Sequence, residues 1–211
     1  NHRMKKLLIV FLFGLNANVT ISQTLSYGVL LGVNVSASAS KDGDSFLNDG
    51  GATFTNSGNY VVPSFGAYAE YNFSERWGLK TEVLLHKATL ETNYNPEGQL
   101  KVNMLEISPN VKFDFGNEYR KGAYLVFGPR ITLLNKISYE GSEADQNFTK
   151  TLIGLQLGAG TRILDYFDLQ FKLNYDFTPF YENPANTNSD FFLGANLHLG
   201  IDIERLLHQN K

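Results

Sequence analysis

The sequence predicts an all-β chain, an eight-stranded antiparallel up-and-down transmembrane β-barrel, on three observations. Apolar and polar residues alternate with period two over segments of 12 to 17 residues. The connections between those segments alternate between long and short. Finally, 18% of the 211 residues are charged and 13% aromatic, whereas roughly a quarter are charged in ordinary soluble domains.

The alternation is cleanest at 167–177, where Phe167, Leu169, Phe171, Leu173, Tyr175 and Phe177 are interleaved with Asp168, Gln170, Lys172, Asn174 and Asp176. Near the C-terminus, Leu193, Ala195, Leu197, Leu199, Ile201 and Ile203 oppose Gly194, Asn196, His198, Gly200 and Asp202. Leu105, Ile107, Pro109, Val111, Phe113 and Phe115 likewise oppose Glu106, Ser108, Asn110, Lys112 and Asp114. Successive side chains on a strand point to opposite faces, so each segment carries one apolar and one polar face.

Eight segments read this way: 25–36, 61–73, 77–89, 101–115, 123–139, 151–163, 167–180 and 191–203. Between them lie a long Ser/Asp/Gly/Asn loop at 37–60, a tight turn at 74–76, a longer loop at 90–100 and a short one at 116–122. A longer loop at 140–150, a tight turn at 164–166 and a long loop at 181–190 follow. This rhythm on an even number of strands is that of a bacterial outer-membrane barrel, with short periplasmic turns and longer outside loops.

The orientation of the faces separates a membrane barrel from a soluble one, which would point its apolar set inward. The polar face here carries Gly28, Gly32, Gly66, Gly128, Gly154, Gly158, Gly160, Gly194 and Gly200. On a solvated face these would weaken the strands; in a narrow lumen they make room for neighbouring side chains. Strands of 12 to 17 residues also exceed the usual five or six of soluble sheets. Aromatics gather at both ends: Phe73, Trp77, Phe115, Tyr119, Tyr166 and Phe167 by the short turns, and Tyr60, Tyr94, Tyr139, Phe148, Phe177, Phe180, Tyr181 and Phe191 by the long loops. Two such rings match the girdles of membrane barrels.

Met4-Lys5-Lys6, the apolar run from Leu7 to Leu15, and Thr20 and Ser22 before Gln23 read as a secretory signal. Residues 1–22 are accordingly expected to be an upstream extension plus signal peptide, 23–203 the barrel and 204–211 a periplasmic tail. The chain lacks Cys, which excludes disulfides, thiolate metal sites and a cysteine nucleophile. A net charge of −3 offers no basic field to nucleic acid.

Counting outward from the two tight turns predicts lumen neighbours, Glu70 beside Lys80 and Arg162 beside Asp168. The expected interior charges are basic at Lys80, Lys112, Arg130, Arg162 and Lys172 and acidic at Glu70, Glu82, Glu106, Asp114, Asp168, Asp176 and Asp202. Mixed signs predict a mutually neutralised plug, whereas a selective pore would show rings of one sign. His86 and His198 fall on the same face without a spacing that assembles a Ser–His–acid set. Gly158-Ala159-Gly160 lacks the helix of a dinucleotide loop, and Asp42-Gly43-Asp44 supplies too few oxygens for calcium.

The segment 102–115, with Leu105-Glu106-Ile107-Ser108-Pro109-Asn110-Val111-Lys112-Phe113, resembles the most recognisable strand of the porin-like outer-membrane β-barrel family common in Bacteroidetes. The strand at 124–134, with Gly128-Pro129, resembles the one that follows it, and Gly28 with Gly32 and the turn after Arg162 fit as well. The resemblance spans 25–203 and implies location more than chemistry. It also implies an aromatic last strand residue, often Phe, where Ile203 stands here.

The expected role is structural or surface-interactive: a small monomeric outer-membrane protein with a plugged polar lumen, surrounded by lipid and inserted by the barrel-assembly machinery. Its loops, chiefly 37–60, would meet an extracellular partner. The alternative is a narrow porin or small-ligand carrier, and the third an outer-membrane enzyme of lipid-modifying or hydrolytic type. Neither a catalytic residue nor a cofactor or metal is assigned.

Overall fold

In the computed structural model, residues 25–40, 54–56, 62–92, 95–116, 121–139, 142–143, 148–164, 166–182 and 189–208 are described. The signal segment, Asp42-Gly43-Asp44, Tyr60, Tyr94 and Tyr119 lie outside them, as does most of the expected partner loop 37–60.

The strands are β1 (Leu25–Ser40), β2 (Phe54–Asn56), β3 (Val62–Asn72), β4 (Trp77–Thr92), β5 (Asn95–Asp114), β6 (Ala123–Tyr139), β7 (Ser142–Glu143), β8 (Thr151–Ile163), β9 (Phe167–Asp176), β10 (Tyr181–Glu182) and β11 (Ser189–Asp202). Eight long strands form the wall; β2, β7 and β10 are short pairings at its long-loop rim. All pairs are antiparallel, and β1 pairs with both β3 and β11, which closes the ring. Closure leaves no strand edge, so the wall's backbone donors and acceptors are satisfied without water.

Closure is oblique. Starting at Asn72 on β3, the pairs Asn72–Gly78, Gly78–Lys112, Lys112–Val126, Val126–Gly158, Gly158–Lys172, Lys172–Asn196, Asn196–Asn34 and Asn34–Val62 lead once around the barrel. The circuit returns to β3 at Val62, ten residues from its start. That stagger is what tilts the strands, and it brings side chains far apart in register to one height in the interior.

Tight connections hold the near end. Phe73 and Ser74 donate their N–H groups to the Trp77 carbonyl at 3.1 and 3.2 Å, and the Ser74 hydroxyl accepts from the Trp77 N–H at 3.0 Å. At the other tight turn Leu164 adopts φ 58°, a left-handed conformation that a reversal this short requires.

The faces are as the alternation predicts. Leu169, Val111 and Leu197 are 37, 42 and 45% exposed on the outer wall, while Lys80, Glu82, Glu106, Lys112, Asp168 and Lys172 are fully buried inside. An oily exterior around a charged interior is stable only where the surroundings are hydrocarbon.

Three expectations are corrected. The lumen is not polar throughout: toward the long-loop end Ala88, Leu100, Val102, Met104, Leu134, Ile137, Leu152, Phe180 and Phe192 form an apolar cluster inside the barrel. Phe180, expected in the outer girdle, belongs to that cluster because β9 ends at Asp176, and its ring stacks on Phe192 at 4.2 Å. Phe148, also expected in the girdle, packs against the same cluster. Lastly, Ile203 does not end a strand but opens a short helix, α1 (Ile203–His208). The Asp202 carboxylate accepts from the Arg205 N–H at 3.2 Å, an N-cap that stops β11 and starts the helix.

Candidate functional site in the barrel interior

Period two aims every second side chain of eight strands at one axis, so the interior chemistry follows from the wall. All twelve charged residues expected in the lumen have their side chains there, each at most 3% exposed where an ion pair is formed. Glu70 faces Lys80 in register and Arg162 faces Asp168, but Glu70, Lys80 and Arg162 hydrogen-bond to other partners. Lys80 donates to Asp168 at 2.7 Å and to Gln170 at 2.5 Å. Glu70 instead accepts from Lys112 at 2.7 Å and from Arg162 at 2.9 Å. Arg162 also stands 3.8 Å from Asp202, and Lys112 donates to Asp114 at 2.9 Å.

One layer farther toward the loops, Lys172 donates to Glu82 and stands 3.9 Å from Glu106. Arg130 donates its Nε–H to Glu106 at 2.9 Å and its terminal nitrogen to both Asp176 oxygens at 2.7 Å. Glu82 and Glu106 are thus each bound by cations rather than free to act as a proton-sharing pair. A buried charge is tolerated only when paired and hydrogen-bonded, and here each carboxylate of this layer has a cation within reach.

Tyr124 contributes a feature that sequence reading missed. Its ring fills the interior between Lys80 and Lys112, with cation–ring distances of 5.1 and 4.9 Å, and its hydroxyl donates to Asp168 at 2.6 Å. Gly160 makes room for it, since a Cβ there would collide with the Tyr124 ring and hydroxyl. The signal was available in principle: Tyr124 is an aromatic out of phase with the apolar face of its strand.

Above the charges lies a sparsely bonded polar belt. The Ser64 hydroxyl lies 2.8 Å from His198 Nε2. His198 Nδ1 and both ring nitrogens of His86 make no hydrogen bond among the described residues, so no described acid orients either imidazole. A nucleophilic serine needs a base that is itself held and polarised; among the described residues this contact has no third member. Among the described residues no group of three His, Cys, Asp or Glu side chains is placed to hold a metal ion. The belt is capped by the apolar cluster.

A closed antiparallel barrel with lipid-compatible walls and a salt-bridged core defines a class, the transmembrane β-barrels of bacterial outer membranes. Residues 13–182 match the family described as "Outer membrane protein beta-barrel domain", and the chain belongs to that family. Its place is the bacterial outer membrane. Among solved structures the fold is similar to that of Neisserial surface protein A, with 16% identity, a TM-score of 0.52, and 84% of this chain and 98% of that chain covered. It is also similar to the outer membrane protein OprG from Pseudomonas aeruginosa, with 14% identity, a TM-score of 0.50 and coverage of 85% and 94%. No curated protein matches the chain in sequence.

Proposed function

We propose that this small outer-membrane barrel serves a structural and surface-interaction role rather than conducting solutes. The observation that carries the reading is the cross-barrel network of Glu70, Lys80, Glu82, Glu106, Lys112, Arg130, Arg162, Asp168 and Lys172. An eight-stranded interior is wide enough only for side chains, and this one is spanned by ion pairs of both signs with an apolar cap above them. A conducting path would have to break several buried pairs at once.

In this reading the network is a plug that stiffens the cylinder, and the loops present the interacting surface, chiefly 37–60. Residues 1–22 comprise an upstream extension plus the export signal, 23–203 the barrel and 204–211 a periplasmic tail, and the chain works as a monomer without cofactor or catalysis. Planar bilayer recording on the purified protein tests it. The expected result is a flat trace at moderate voltage; steady openings of nanosiemens scale would establish a pore instead.

A further inference from the structure

The outer wall carries a polar row at the loop-side border of its apolar band. On β4 the outward residues run Trp77, Leu79, Thr81, Val83 and Leu85, and then Lys87. Trp77 to Lys87 spans ten residues of strand, ~34 Å at ~3.4 Å per residue. With a tilt near ~40° that is ~26 Å along the barrel axis, the height of the apolar band of such barrels. Lys87 therefore stands at the headgroup level of the loop-side leaflet.

It is not alone there. Asn103 on β5 is flanked in register by Lys87 on one side and Lys136 on the other, and Lys101 follows two residues along the same face. Lys87, Lys101 and Lys136 are all exposed, and no ion pair joins them to any of the described residues. The arrangement depends on a bulge. Register shifts between Asn103 and Met104, so that Asn103 pairs with Lys136 but Met104 with Leu134. Asn135 is the extra residue, and both Asn135 and Lys136 face outward, where a regular strand would send one of them inside.

Beside this row the wall is recessed. A hollow of about 560 Å³ has Pro63, Phe65 and Leu85 on its apolar side and Lys87, Asn103 and Asn135 on its polar side. An apolar trough leading to amide groups and three exposed lysines is complementary to one kind of molecule, an anionic amphiphile. We infer that the β4–β5–β6 wall binds a phosphate-bearing acyl lipid of the outer leaflet, its phosphate among Lys87, Lys101, Lys136 and the two asparagine amides, its chain against Phe65 and Leu85. Lysines at this depth reach the headgroup plane on their aliphatic stems, and each adds to the attraction for an anionic surface.

The inference is tested on the full chain, folded in an uncharged detergent, by native mass spectrometry with phosphatidate or with the corresponding diacylglycerol. These probes differ only in the phosphate. Phosphatidate adducts should dominate, and the Lys87→Gln/Lys101→Gln/Lys136→Gln variant should retain roughly tenfold less or lower. Lys121→Gln, at the opposite end, should retain as much as wild type. A heat-dependent shift in electrophoretic mobility equal to wild type certifies that the triple variant is folded. Equal retention of diacylglycerol overturns the inference, as does undiminished binding by the folded triple variant or an equal loss in Lys121→Gln. Displacement of phosphatidate by inorganic phosphate would overturn it too, since the site would then select a free anion rather than a lipid.

Discussion

Lys80 and Asp168 meet at 2.7 Å across the barrel although they lie 88 residues apart in the chain, while the residue opposite Lys80 in register, Glu70, is held by Lys112 instead. The stagger of the strands decides this. Register partners sit side by side on the wall, but the tilt carries long side chains toward partners on the far side. The interior is thereby tied across its width, and the contacts that fix it are non-local.

Removing one member of the Lys80–Asp168 pair leaves a fully buried charge behind. Asp168→Asn should destabilise the barrel by about 3–5 kcal/mol, read as a lower urea midpoint for unfolding from lipid vesicles. Lys80→Met combined with Asp168→Asn should lose less than the sum of the singles, because the double variant orphans neither partner. Strict additivity would show that the two residues are not coupled.

On the outer wall, Phe171 is 47% exposed in the middle of β9. Phe171→Arg should cost about 2–4 kcal/mol where the side chain meets the bilayer midplane. An unchanged unfolding midpoint would place that face away from hydrocarbon.

The apolar cap is a separate seal. Phe180 is fully buried and stacked on Phe192, so Phe180→Ala should lose about 3–5 kcal/mol. Bilayer recordings of this variant should still be flat, because the charged layer beneath remains bonded. New openings would mean that the cap alone closes the lumen.

The Ser64–His198 contact invites an assay for hydrolysis. Because His198 Nδ1 has no partner among the described residues, wild type should cleave p-nitrophenyl acyl esters no faster than Ser64→Ala. Faster cleavage by wild type would establish a working dyad.

Much of this was legible because period two is a strong signal. Leu169, Phe171 and Leu173 against Asp168, Gln170 and Lys172 assign both faces by themselves, and the tight turn at 74–76 fixes Glu70 opposite Lys80. What stayed hidden has physical reasons. The true partner of Lys80 depends on the stagger of the closed ring, which no single hairpin contains. The cap was hidden for two reasons: Leu134 and Leu152 have apolar outward neighbours, Leu133 and Ile153, so alternation loses contrast, and at Val102 and Met104 the pattern inverts, with Lys101 and Asn103 on the outer face. The bulge at Asn135 has no residue signature, since it is a count of residues against a partner strand. Phe180 was misplaced because the run of aromatics after Tyr175 continues past the point where β9 stops pairing.

The central claim is that the apolar face meets lipid and the charged face fills the cylinder, and depth-dependent fluorescence quenching tests it most directly. Trp77 is the single tryptophan, so a Trp77→Phe/Phe171→Trp variant carries one reporter at position 171. In vesicles of brominated phosphatidylcholine its emission should be quenched most by bromines deep in the acyl chains and hardly at all by aqueous iodide. Strong iodide quenching, with no response to the brominated lipid, would contradict the account.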